Sequence, residues 1–168
     1  VYLPNNLNVF STDGKGTVNE FFDELSNEYG ISINKNVSDY KTNTSLGLTV
    51  SENKPDDGLL LFTDHYVLIS KNKELINEVT DLNGKKIGGL NEGIAYMSKG
   101  YKITSTFVTY ESDDALGKGL EEDAIDYALV PLNEYIDKIL EKNYVITYHL
   151  PELKKYYYIH LGTDETLN

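Results

Sequence analysis

The sequence predicts an α/β fold in which strands and helices alternate around a parallel, doubly wound sheet. Three observations carry this. From residue 86 onward, short β-branched or apolar runs alternate with helical patterns, the order that builds βαβ units. Tyr127–Val130 is apolar throughout, as a strand covered on both faces must be. Val18, Phe21, Phe22, Leu25 and Tyr29 recur at helical spacing, which puts one apolar stripe on a helix.

Taken in order, Tyr2 and Leu3 read as a short strand ended by Pro4. Thr17 with Glu20 forms a capping box at the head of the first helix, and Gly30 supplies its stop. Ile31 and Ile33 alternate with polar residues, as in a strand. A polar stretch, 34–45, leads to a strand at Leu46–Val50. Leu59–Phe62 and Tyr66–Ser70 read as two further strands, and Glu74–Val79 as a short helical run. Lys86–Leu90, Ile103–Thr109 and Tyr127–Val130 are strand-like. The helices between and after them run Glu92–Ser98, from a Ser112 cap to about Leu120, and along the face Leu132, Tyr135, Ile136, Ile139 and Leu140. Tyr144–Tyr148 and Tyr156–Leu161 close the series. Alternation in Tyr156-Tyr157-Tyr158 assigns one face to the core.

The chain has 168 residues, enough for one ordinary domain or two small lobes. Its formal net charge is −12, which repels phosphate backbones and anionic lipid, so nucleic acid is not an expected partner. With no cysteine, disulfides, thiolate zinc sites and Cys nucleophiles are excluded. No apolar run approaches the roughly 20 residues that span a bilayer. Arg is absent while Asn, Lys, Ile and Tyr abound, a usage typical of an AT-rich bacterial genome. Any anion must therefore be held by Lys, backbone amides or hydroxyls rather than by a guanidinium fork.

Two segments carry a family resemblance. Gly47-Leu48-Thr49-Val50-Ser51, followed by Phe62-Thr63-Asp64-His65-Tyr66, resembles the crossover segment of the extracellular solute-binding proteins of family 3. Asp81-Leu82-Asn83-Gly84-Lys85-Lys86-Ile87-Gly88 resembles the stretch that opens that family's second lobe. Tyr110–Leu120 and Ala124–Val130 match later motifs in the same order. The resemblance implies a two-lobed periplasmic-binding-protein-like (type II) fold, its lobes linked by crossover strands and closing on a small solute. The expected division is 1–70 for a shortened first lobe, with the crossover at about 59–70. Residues 71–155 form the second lobe, and 156–168 a return strand beyond which the family continues with a helix.

The same resemblance nominates the cleft. Asn5 and Asn6 follow the first strand, Thr49 and Ser51 end the crossover strand, and Tyr66 sits at the hinge. Asn91, Glu92 and Gly93 open the first helix of the second lobe, and Pro131 and Asn133 open its last. The family's amino-acid anchors are altered. Asn53–Asp56 stands where an Arg clamps the ligand carboxylate, and Glu92 where a Ser or Thr follows the helix start. Pro131 replaces the Asp that binds the amino group. Asp64 reads as a structural turn. Glu92 and Asn133 equally suit plain helix capping.

His65, His149 and His160 are far apart and lack a ligand spacing, so no metal is read from them. The acidic pairs Asp56-Asp57 and Asp113-Asp114 and the run Glu121–Asp123 read as solvated faces. No nucleophile elbow, P-loop or dinucleotide fingerprint is present, so no catalytic residue and no cofactor is expected. The function implied is a non-catalytic, extracellular or cell-surface solute-binding domain. It is expected to sense a small molecule for a membrane-anchored bacterial receptor, tethered by segments outside this sequence, with a signalling domain as partner. Two alternatives stand beside it: the substrate-binding component of an ABC transporter with a permease partner, and a structural or dimerisation module that has lost its ligand.

Overall fold

The structure is a computed structural model that describes residues 2–3, 17–30, 36–37, 46–54, 56, 58–72 and 74–161. The chain divides into two compact units. One comprises Val1–Thr63 and Lys155–Asn168, the other Asp64–Lys154. Each is described by itself.

In the first unit, helix α1 (Thr17–Tyr29) buries Phe22 fully and Phe21 and Leu25 in part, whereas Tyr29, expected on the same stripe, is exposed. Gly30 follows it at φ +62°, a left-handed stop that costs glycine nothing. Strand β1 (Tyr2–Leu3) pairs in parallel with β2 (Asn36–Val37) and β3 (Leu46–Ser51). The end of the last strand, Tyr156–Leu161, runs antiparallel to β3. There Tyr157 is fully buried and stacks on Phe62 at 4.3 Å, while Tyr156 and Tyr158 stay half-exposed, as the alternation requires. The strand expected at Ile31 and Ile33 lies outside the described residues.

The second unit is a sheet with helices on both faces. Strand β5 (Lys86–Leu90) pairs in parallel with β6 (Thr106–Tyr110) and with β7 (Tyr127–Pro131). Helices α2 (Asn91–Gly100), α3 (Asp113–Glu121) and α4 (Leu132–Lys142) follow β5, β6 and β7 in turn. Alternate residues of the central strands face opposite ways. Tyr66, Leu68, Tyr127 and Leu129 pack with Ile94 and Met97 of α2. Val67, Ile69, Ala128 and Val130 pack with Leu116 of α3 and Tyr135 and Ile139 of α4. Each such aliphatic side chain taken wholly out of water contributes about 1.5–3 kcal/mol.

Five readings change. The sheet is mixed, because β4 (Leu59–Ser70) runs antiparallel to β7. What read as two strands around Thr63-Asp64-His65 is this one strand: Asp64 turns its side chain inward and so marks no turn. Likewise β8 (Val145–Leu161) is continuous through Pro151. The pairing of β8 with β3 covers Tyr156–Leu161 and leaves Pro151 outside it. The expected helix at Glu74–Val79 shrinks to a 3-10 helix at Val79–Leu82. The Ile76 amide donates to the Thr147 carbonyl at 3.0 Å, and Asp81 accepts from the amides of Asn77 and Glu78, so these donors leave no helical ladder. Strand β6 starts at Thr106 rather than Ile103, because Thr104 is tied to Asn83 and Gly84.

Candidate functional site

The register Gly89↔Leu129 puts the ends of β5 and β7 side by side, so α2 and α4 start at one edge of the second unit. The antiparallel pairing Tyr66↔Pro131 brings the start of β4's buried run to the same edge. This is the carboxyl end of the parallel strands, where open α/β sheets hold ligands against free helix amides.

The two helix starts are built differently. Proline at the N-cap of α4 has no side chain to offer the first-turn amides. Asp64, fully buried, supplies the missing acceptor. Its carboxylate accepts from the Asn133 amide at 3.0 Å, from the Glu134 amide at 3.2 Å and from the His65 amide at 2.8 Å. A charge with three charge-assisted hydrogen bonds at the positive end of a helix dipole is a satisfied one. At α2 the N-cap is Leu90, which makes no side-chain hydrogen bond, and Asn91 and Glu92 of the first turn are exposed. Gly93 completes that turn beneath Tyr66. A Cβ there would lie 3.0 Å from Tyr66 Cε1 and 3.5 Å from Leu129 Cδ2, so a larger residue would push the ring out. Tyr66 is 4% exposed and meets Tyr96 edge-on, ring centroids 6.3 Å apart.

The edge is acidic. Glu92 and Glu134 stand in the first turns of α2 and α4, and Asp113 and Asp114 in that of α3, where Ser112 caps through a 3.2 Å bond from the Ala115 amide. Lys138 binds Asp114 at 3.1 Å. Burial, with Asp113 and Asp114 nearby, pushes the Tyr135 hydroxyl up to about 12. Burial and a hydrogen bond to Glu121 raise Tyr144 as well.

Of the residues nominated from the sequence, the structure gathers Tyr66, Asn91, Glu92, Gly93, Pro131 and Asn133 at this edge. Asn133 contributes its backbone amide to the Asp64 cap, and its side chain is exposed. Thr49 and Ser51 belong to β3 in the first unit, and Ser51 Oγ accepts from the Asn53 amide at 3.1 Å. Asn5 and Asn6 lie outside the described residues. The capping role of Asp64 was missed. A helix beginning Pro-Leu-Asn without its own cap is the signal that its first amides need a partner from elsewhere, a distant side chain, water or a ligand.

No protein-family model matches the sequence, and no curated protein does. Solved structures match over nearly the whole chain. The GluR0 ligand-binding core from Nostoc punctiforme, in complex with L-glutamate, has a TM-score of 0.70 at 12% identity, covering 98% of this chain and 85% of that one. The amino acid ABC transporter substrate-binding protein AbpA from Streptococcus pneumoniae, bound to L-arginine, has a TM-score of 0.69 at 16% identity, covering 98% and 82%. A histidine kinase sensor domain with similarity to periplasmic binding proteins has a TM-score of 0.68 at 15% identity, covering 98% and 83%. At such identities the likeness is one of fold: this chain has the two-lobed, periplasmic-binding-protein-like α/β fold. Among the described residues, no helix is long and apolar enough to cross a membrane.

Proposed function

We propose that this chain is a non-catalytic solute-binding domain that senses a small polar molecule outside the cell for a bacterial receptor. The observation that carries the reading is the contrast at the helix starts. Asp64 fills the first turn of α4, whereas the first turn of α2 has an apolar cap residue and stands exposed beside Tyr66. Backbone amides there suit an acceptor oxygen, and the Glu92 carboxylate suits a donor or a cation. The solute that fits carries both. Tyr66, Asn91, Glu92, Gly93, Pro131 and Asn133 are its proposed surroundings, all in the second unit, while Asn5, Asn6, Thr49 and Ser51 stay as nominations from the family resemblance alone. Binding would be read out as a shift among conformers, with no bond made or broken in the solute.

The likeness to a receptor core and a kinase sensor domain supports the sensing role. The likeness to AbpA supports a second reading, delivery of a solute to a membrane permease. A thermal-shift screen with amino acids, amines, sugars and short peptides tests the shared claim. A ligand at 100 times its Kd stabilises the fold by about 2.7 kcal/mol. A flat response across the whole library would sink both readings in favour of a structural module.

A further inference from the structure

We propose that His65 and His149 together form a binding site for a divalent transition-metal ion, copper(II) being held most tightly. The two residues are 84 positions apart in sequence, and no spacing rule connects them. The fold does so by placing β4 and β8 next to each other, with both histidines in the second unit. His65 Nε2 lies 3.2 Å from His149 Nδ1, and the ring centroids are 5.5 Å apart with planes tilted by 34°.

That separation has a second meaning. Metal–imidazole bonds are about 2.0–2.1 Å, so two nitrogens in neighbouring positions of a square-planar or tetrahedral shell stand about 2.9–3.4 Å apart. The pair already has that bite. Each ring would have to turn off the line joining the two nitrogens for both lone pairs to meet one ion. Without metal, one of the two facing nitrogens carries the bridging hydrogen. On binding, that hydrogen moves to the other nitrogen of its own ring. Both imidazoles then ligate as neutral donors, and the shift of that hydrogen within its ring releases no proton.

The surroundings agree. His149 is exposed and His65 half-buried, so an ion and its waters can reach them. Both sit on sheet strands, which pin their Cα positions better than loops do. Asp64, the neighbour of His65, is engaged by three amides and is not the third ligand. Among the described residues no cluster of three or more His, Asp or Glu gathers for a metal. The ion would therefore have two protein ligands, with water in its remaining positions. Imidazole selects copper, nickel and zinc over calcium and magnesium, and copper(II) heads the affinity order. The net charge of −12 favours any cation at the surface, so selectivity is the property to test.

Titrating the full chain with copper(II) chloride in a non-chelating buffer, read by calorimetry and by electron paramagnetic resonance, decides the matter. The expected result is one equivalent bound with nitrogen coupling from two imidazoles, undiminished by a thousandfold excess of Ca2+. His149→Ala and His65→Ala should each weaken it at least tenfold, and His160→Ala should leave it unchanged. If His65→Ala fails to fold, the exposed-site variants His149→Ala and His149→Asn carry the test. Copper binding that survives in His149→Ala, or that Ca2+ displaces, would overturn the proposal and assign the ion to surface carboxylates. The outcome is independent of any solute at α2.

Discussion

Helices α2 and α4 begin side by side on the same sheet edge, yet the chain treats their first turns in opposite ways. At α4 it spends a buried carboxylate from a neighbouring strand to occupy the amides. At α2 it places a leucine at the cap and a glycine under a tyrosine ring. A helix start presents free amides to an acceptor, and among the described residues Asp64 occupies those of α4 while the cap residue of α2 makes no side-chain hydrogen bond. One end is a structural joint, and the other is the surface proposed above to meet the solute.

Removing the joint should have the largest effect. Asp64→Ala strips a fully buried acceptor from three amides and should cost about 3 kcal/mol, seen as a lower urea midpoint. A loss below about 1 kcal/mol would show the cap to be dispensable. Alkali should work on the same helix. The folded-state pKa of Tyr135 lies above the unfolded value of 10, so its contribution is whole below pH 10 and is lost as pH climbs to about 12. Urea midpoints should fall across that window by up to about 2 kcal/mol in free energy. Tyr135→Phe should flatten part of the slope, the remainder belonging to the other tyrosines raised in the same direction, Tyr144, Tyr127 and Tyr101.

Making α2 resemble α4 sharpens the contrast further. Leu90→Asp gives α2 a carboxylate of its own. Stability should change by less than about 1 kcal/mol, the new cap offsetting lost apolar burial. Affinity for a solute found by thermal-shift screening should drop at least tenfold, and unchanged affinity would place the solute elsewhere. The smallest effect is expected from Glu92→Gln. It should alter stability by about 0.5 kcal/mol, the size of an exposed helix-end charge. By calorimetry it should weaken a cationic solute several-fold while sparing a neutral one.

What could be read from the sequence was whatever is decided locally. Helix α3 carries its cap beside it in Ser112, α1 has its stop in Gly30, and the buried strand β7 announces itself by composition. What escaped depends on distant partners. Strands β4 and β8 each read as two pieces, because Asp64 and Pro151 look like breaks until the neighbours that accommodate them are in place. The cap of α4 and the His65–His149 contact span 69 and 84 positions, beyond any periodicity. Of the nominated residues, the second-unit members could be gathered by counting to the ends of strands. The split between closed and open helix starts could not, because Asp64 looks no different from a turn residue.

The Asp64 cap also bears on how the second unit assembles. Asp64 leaves the ribosome well before Asn133 and Glu134, and the bonds between them close a loop of about 70 residues. The start of α4 is thus completed only once β4 has found β7, so its cap is a long-range contact that no local nucleus supplies. A polypeptide beginning at His65 would hold every core residue of this unit and still lack the acceptor that starts its last helix.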